Sequence, residues 1–158
     1  EIGEFAEAVA KKVPGRRTER PAGLARLPAE GLVPSSGRYI LGPLAAQNES
    51  PFLESEFWGF AATSAARAYS AKYGTPPGVS KLVVVELGKG VDAGAVDGGV
   101  QALFEEYLSD VRREGDRLEG RNQAGRWFLF KRRGALAALV LGDPDESAAR
   151  ARLELALR

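Results

Sequence analysis

The sequence predicts an α+β fold: an antiparallel sheet of about five or six strands, with two or three helices packed mainly on one face. Three stretches carry that prediction. Residues 81–87, KLVVVEL, form a β-branched run suited to a central strand covered on both faces. Residues 126–132, RWFLFKR, and 136–141, LAALVL, flank Arg133-Gly134 and read as a hairpin. Asp143-Pro144-Asp145-Glu146 places an N-cap at Asp143, a first-turn proline and an N3 acid ahead of Ala149, Leu153, Ala156 and Leu157, the stripe of a closing helix.

The remaining elements follow in chain order. Residues 1–13 put Ile2, Phe5, Val9 and Val13 at helical spacing, with Glu1, Glu4 and Glu7 early and Lys11 and Lys12 late, as a helix dipole prefers. Pro14-Gly15 stops that helix. Nothing caps it before Glu1 and the chain has no Met, so the chain is expected to be a processed product or a fragment. Residues 14–26 read as a polar connector, its Arg16, Arg17 and Arg20 a solvated linker. Turns at Pro28, Gly31, Pro34 and Ser35-Ser36-Gly37 then lead into a short strand, Arg38–Leu41, which Gly42-Pro43 closes.

Residues 44–60 read as irregular and aromatic-rich, and residues near 62–73, ending at Gly74, read as a strand whose Ala content also allows a helix. Thr75-Pro76-Pro77-Gly78 forces a turn. Beyond the central strand, residues 92–112 carry Val96, Val100, Leu103, Phe104, Tyr107, Leu108 and Val111 as one helical stripe, weakened early by Gly94, Gly98 and Gly99. Residues 117–122 read as a further strand. The first and last helices resemble each other in charge order and stripe. Residues 1–26 are therefore expected to be the terminal helix and linker of an upstream repeat, and 27–158 a single α+β domain.

Composition excludes several chemistries. The 158 residues hold no Cys, His or Met, which removes disulfides, thiol catalysis, the commonest general base and the usual zinc, haem and copper ligands. No cofactor is expected. Twenty-two basic residues against 21 acidic ones give a net charge of +1, without the basic excess that nucleic-acid binding uses. No apolar run approaches the roughly 20 residues a membrane-spanning helix needs. Scarce Asn and Gln suit either heat adaptation or high-GC codon usage.

Two stretches stand as candidate sites. Phe52, Phe57, Trp58 and Phe60 fall within nine residues, either as a patch that grips a protein partner or as a loop anchored over the sheet. Gly88, Lys89 and Gly90 form a strand-to-helix turn whose N–H groups suit an anion, with Arg38 as a further cation, or else a flexible turn needing positive φ. The turn lacks both the Walker and the dinucleotide-binding spacing. Residues 125–130, GRWFLF, mix basic and aromatic residues as an RNA-binding strand does, but apolar side chains on both faces favour a core strand. Glu105-Glu106 and Asp143/Asp145/Glu146 propose no catalytic pair, the latter being explained by helix capping.

The succession from Phe5, Val9 and Val13 through Val13-Pro14-Gly15, residues 27–43 (LPAEGLVPSSGRYILGP) and the later Ala68-Tyr69 and LVVVE resembles the bacterial exported family known as domain of unknown function 6599. Its most specific piece is carried by Gly31, Leu32, Ser36, Arg38, Tyr39 and Gly42, and the resemblance spans most of residues 1–142 as a C-terminal half. It implies an extracytoplasmic protein of periplasm or cell envelope, and no reaction. The expected function is a non-catalytic binding or accessory module, a peripheral subunit of a larger complex whose partner is another protein or the upstream half. The alternative is an anion binder, small-ligand binder or enzyme using the 88–92 turn.

Overall fold

Leu82, Val83, Val84 and Val85 are all fully buried, alternating between the two faces of the strand that holds them. A strand apolar on both sides needs a layer above and a layer below, and the computed structural model, which describes residues 21–61 and 66–158, supplies both. The strands are β1 (Arg38–Leu41), β2 (Arg67–Tyr73), β3 (Ser80–Glu86), β4 (Ser109–Glu114), β5 (Arg117–Arg121), β6 (Trp127–Arg133) and β7 (Leu136–Asp143). They form one seven-stranded sheet in the order β1-β2-β3-β7-β6-β5-β4, with every neighbouring pair antiparallel. The α+β class is as expected, but the sheet is larger than five or six strands.

Among the described residues three α-helices accompany it: α1 (Gly42–Glu49), α2 (Ala93–Tyr107) and α3 (Glu146–Ala156). The expectation that the helices share one face is corrected. Val96, Val100 and Phe104 of α2 pack with Val83, Val85, Ala137, Leu139 and Phe130 on one side. On the other side Ala149, Leu153 and Ala156 of α3 pack with Leu82, Val84, Ala138, Val140 and Leu129. The period-2 burial of β3 and β7 is what demands this: a single helical layer would leave half of those side chains in water.

Three local readings change as well. Gly42-Pro43 does not close the segment; it starts α1, because proline is compatible with the first helical turn, where its missing N–H has no partner to lose. The stripe expected over 92–112 ends at Tyr107, and residues 109–114 are the additional strand β4. Gly120 explains why Leu108 and Val111 still cover the sheet: a Cβ there would lie 3.0 Å from Leu108 Cδ1 and 3.3 Å from Val111 Cγ2. The cap of α3 is Asp145, whose Oδ1 accepts from Ala148 N at 2.7 Å. Asp143 instead ends β7 buried, accepting from Ser80 Oγ, Asp145 N and the Arg152 guanidinium.

The helix expected over 1–13, the basic cluster Arg16, Arg17 and Arg20, and residues 62–65 of the expected 62–73 strand lie outside the described residues. Residues 22–26 of the expected polar connector form a 3-10 turn against β2, where a Cβ on Gly23 would lie 2.1 Å from the Tyr69 ring. Leu24 of this turn packs on the α3-side core.

Candidate functional site

The 88–90 turn sits where the sequence placed it, between β3 and α2, and Gly90 takes φ +87°. Its capacity for an anion is limited by Asp92, whose Oδ1 already accepts from Gly94 N at 2.8 Å at the N-terminus of α2. Nor does the sheet bring Arg38 to it. Arg38 pairs with Ser70, which pairs with Val83, three residues before Glu86; it is Leu41 that faces the Glu86 end, through Arg67. Lys89 is exposed and distant from Arg38 along and across the strands.

The aromatic stretch divides. Trp58 is fully buried and Phe60 nearly so, both in the core on the α2 side. The Trp58 indole N–H donates to the Phe52 carbonyl at 2.7 Å, which pins residues 51–58 over the sheet. Phe57 lies against α2 at Gly99, where a Cβ would come within 2.3 Å of its ring. Trp58 and Phe60 are therefore core residues and not a presented patch; a buried ring has no surface left for a partner. Of the four, Phe52 lines the hollows at one end of the sheet.

That space is a cleft at one end of the sheet on the α2 side. Ser50 caps the 3-10 turn Pro51–Leu53, its Oγ accepting from Phe52 N, and the turn leans Phe52 onto Phe128 with ring centroids 5.6 Å apart. On one flank of this ring pair is a hollow of about 400 Å³ among Glu49, Lys72, Val79, Lys81 and Leu141. On the other is a hollow of about 440 Å³ among Leu103, Tyr107, Leu108 and Asn122. Both are lined by Pro51, Phe52 and Phe128.

Strand register explains the composition. Lys72 pairs with Lys81, Lys81 with Leu141, Leu141 with Phe128, and Phe128 with Gly120, so five strands lay these residues in one transverse row. The row runs from two cations through a leucine and a phenylalanine to a glycine roofed by Leu108. At the cationic end Glu49 accepts from Lys81 Nζ at 2.9 Å and from Ser70 Oγ at 2.7 Å, while Lys81 also donates to the Glu49 carbonyl at the end of α1. Arg126 reaches the same end and donates to the carbonyls of Pro77, Val79 and Gly142, none of them charged. Among the described residues the Lys72 ammonium has no hydrogen bond or ion pair, although like charges directly opposed across strands repel.

A second polar cluster lies on the α3 side. The fully buried Glu119 carboxylate accepts from Arg117 Nε, from Arg112 Nε at 3.1 Å and from Arg150 at 2.9 Å. Burial pushes the Glu119 carboxyl up, but the hydrogen bonds from Arg117, Arg150 and Arg112 outweigh it and hold the group below the ordinary carboxylate range. Glu114 and Glu146 neutralise the outer guanidinium edges, which makes this a closed structural network joining β4, β5 and α3. Trp127 of the basic–aromatic strand lies beside it under Arg112 and Arg121, at 5.6 and 5.0 Å, while Leu129 and Phe130 are core.

Among the described residues no group of three or more acidic side chains could hold a metal ion, and no helix is long and apolar enough to cross a membrane. Ser70 and Ser80, the two buried serines on the strands, donate to Glu49 and Asp143 and are closed to solvent. Sequence reasoning found Phe52 but missed Lys72, Lys81 and Phe128, whose proximity depends on a strand order that no local pattern encodes. Comparison with known protein families, curated proteins and solved structures finds no match to this chain.

Proposed function

We propose that this domain is a non-catalytic binding module, an accessory part of the cell envelope, and that its ligand site is the cleft around Phe52 and Phe128. The observation that carries the reading is the make-up of that cleft. Its walls are aromatic and aliphatic, and a few polar groups converge at one end, the usual composition of a ligand pocket. No solvent-facing nucleophile with an adjacent base accompanies it among the described residues, so binding is the chemistry these side chains favour. The extracytoplasmic setting comes from the family resemblance.

Attachment to a larger complex, the other half of the reading, draws on a different surface from the one the sequence suggested. Tyr39 and Leu41 of β1 and Leu44 of α1 are exposed, and among the described residues β1 is an edge strand of the sheet. The ligand reading is tested by titrating the labelled protein with a small-fragment library and following backbone amide resonances. Shifts clustering at Phe52, Lys72, Lys81, Phe128 and Leu141 are expected; fragments that bind only elsewhere, or nowhere, overturn it.

A further inference from the structure

Building on the binding reading above, we infer that the cleft takes a single-chain amphiphile with an anionic head, carboxylate or phosphate, held by its head at Lys72 and Lys81 and by its chain along Phe52 and Phe128. Charge complementarity supplies the first argument. Lys72 and Lys81 line that end of the row together with one carboxylate, Glu49, which Lys81 engages, so one positive charge is left over there. Lys81 is engaged by Glu49 and Arg126 by backbone carbonyls, so Lys72 is the cation left to meet a ligand. An anion there would relieve the opposition of Lys72 and Lys81.

Direction supplies the second argument. From Lys81 the row crosses Leu141 to Phe128, two strand spacings or roughly 10 Å, before Leu108 roofs Gly120. Every side chain along it is apolar, with Leu103 and Leu108 flanking the far end. At that far rim Tyr107 lies close to Glu106 and Glu54, which raise its phenol above the ordinary value, Glu106 most. Acids at one end and cations at the other orient an anionic head toward Lys72. A ligand charged along its whole length would leave the middle of the row uncomplemented, and a neutral chain would gain nothing from the lysines.

The test is calorimetric titration of the wild-type protein with decanoate, decyl phosphate, decanol, acetate and inorganic phosphate, each below any micelle concentration, and repetition with Lys72→Gln. Decanoate and decyl phosphate are expected to bind at least about tenfold tighter than decanol, and Lys72→Gln to weaken both roughly tenfold, as loss of one charge-assisted contact does. The stronger of the two acids identifies the head group. Decanol binding as tightly as decanoate would overturn the anionic head and leave the binding module standing. Acetate or phosphate binding as tightly as the ten-carbon ligands would overturn the chain site. If no amphiphile binds while library fragments shift Phe52 and Phe128, the ligand class is wrong; if neither occurs, the binding reading falls with it.

Discussion

Replacing Glu119 with Gln tests the most buried charge in the domain. The carboxylate has no exposed surface and is bonded to three guanidinium groups, whose side chains differ in access to water: Arg117 is 15% exposed, Arg150 31% and Arg112 54%. Removing one partner of a buried ion pair costs about 3–5 kcal/mol. Arg112 and Arg150 can recover hydration, so the figure falls toward the lower end, about 3 kcal/mol, most of it from stranding Arg117. For a chain of this size that is a fall of roughly 6–12 °C in Tm. Urea unfolding followed by circular dichroism reads it as a lower midpoint at unchanged slope. The pH dependence makes the prediction specific. Glu119 has a depressed folded pKa, so its stabilisation is complete above the unfolded value, near 4.3, and is lost as pH falls through the lower folded value. The gap between wild type and Glu119→Gln should be full at pH 7 and shrink below about pH 4. A gap under about 0.5 kcal/mol at pH 7, the range of an ordinary surface change, or one that stays constant to pH 3, would refute the reasoning.

Other substitutions read separate parts of the fold. Gly98 and Gly99 are neighbours in α2, yet a Cβ at Gly98 meets nothing and one at Gly99 strikes Phe57. Gly98→Ala should therefore stabilise by about 0.5–1 kcal/mol, while Gly99→Ala should destabilise by about 1 kcal/mol after the helix-propensity gain is offset by strain; thermal melts of the pair check both. Asp145→Ala should cost about 1 kcal/mol through loss of the α3 cap, measured by urea midpoint. Lys72→Gln should leave the fold intact and raise stability by a few tenths of a kcal/mol by removing its repulsion with Lys81, so any loss of ligand affinity in this variant is not a folding effect.

Much of the architecture can be traced to local patterns. The LVVV run of β3 announces burial on both faces, and the Arg133-Gly134 turn announces the β6–β7 hairpin, with Gly134 at φ +61°. β4 escaped notice because SDVRRE is polar and paired through arginines, so it offers no hydrophobic alternation to read. α1 escaped because Gly-Pro signals both an end and a beginning, and only the pairing of β1 with β2 decides which. The opposite placement of α2 and α3 was implicit in the two-sided apolar character of β3 and β7, since each face needs its own cover. The cleft was least legible. Lys72 and Lys81 look like two ordinary polar positions until antiparallel register opposes them, and Phe128 joins them only because β7 intervenes between β3 and β6.

The central claim is that the Lys72-to-Phe128 row is the ligand site, and contact between ligand and protein protons tests it most directly. In a nuclear Overhauser measurement on the decanoate complex, the protons beside the carboxylate should contact Lys72 and Lys81, and the terminal methyl should contact Phe128, Leu103 or Leu108. Contacts confined to Tyr39, Leu41 and Leu44, or to the groove between Ala22–Arg26 and Leu155, would contradict it.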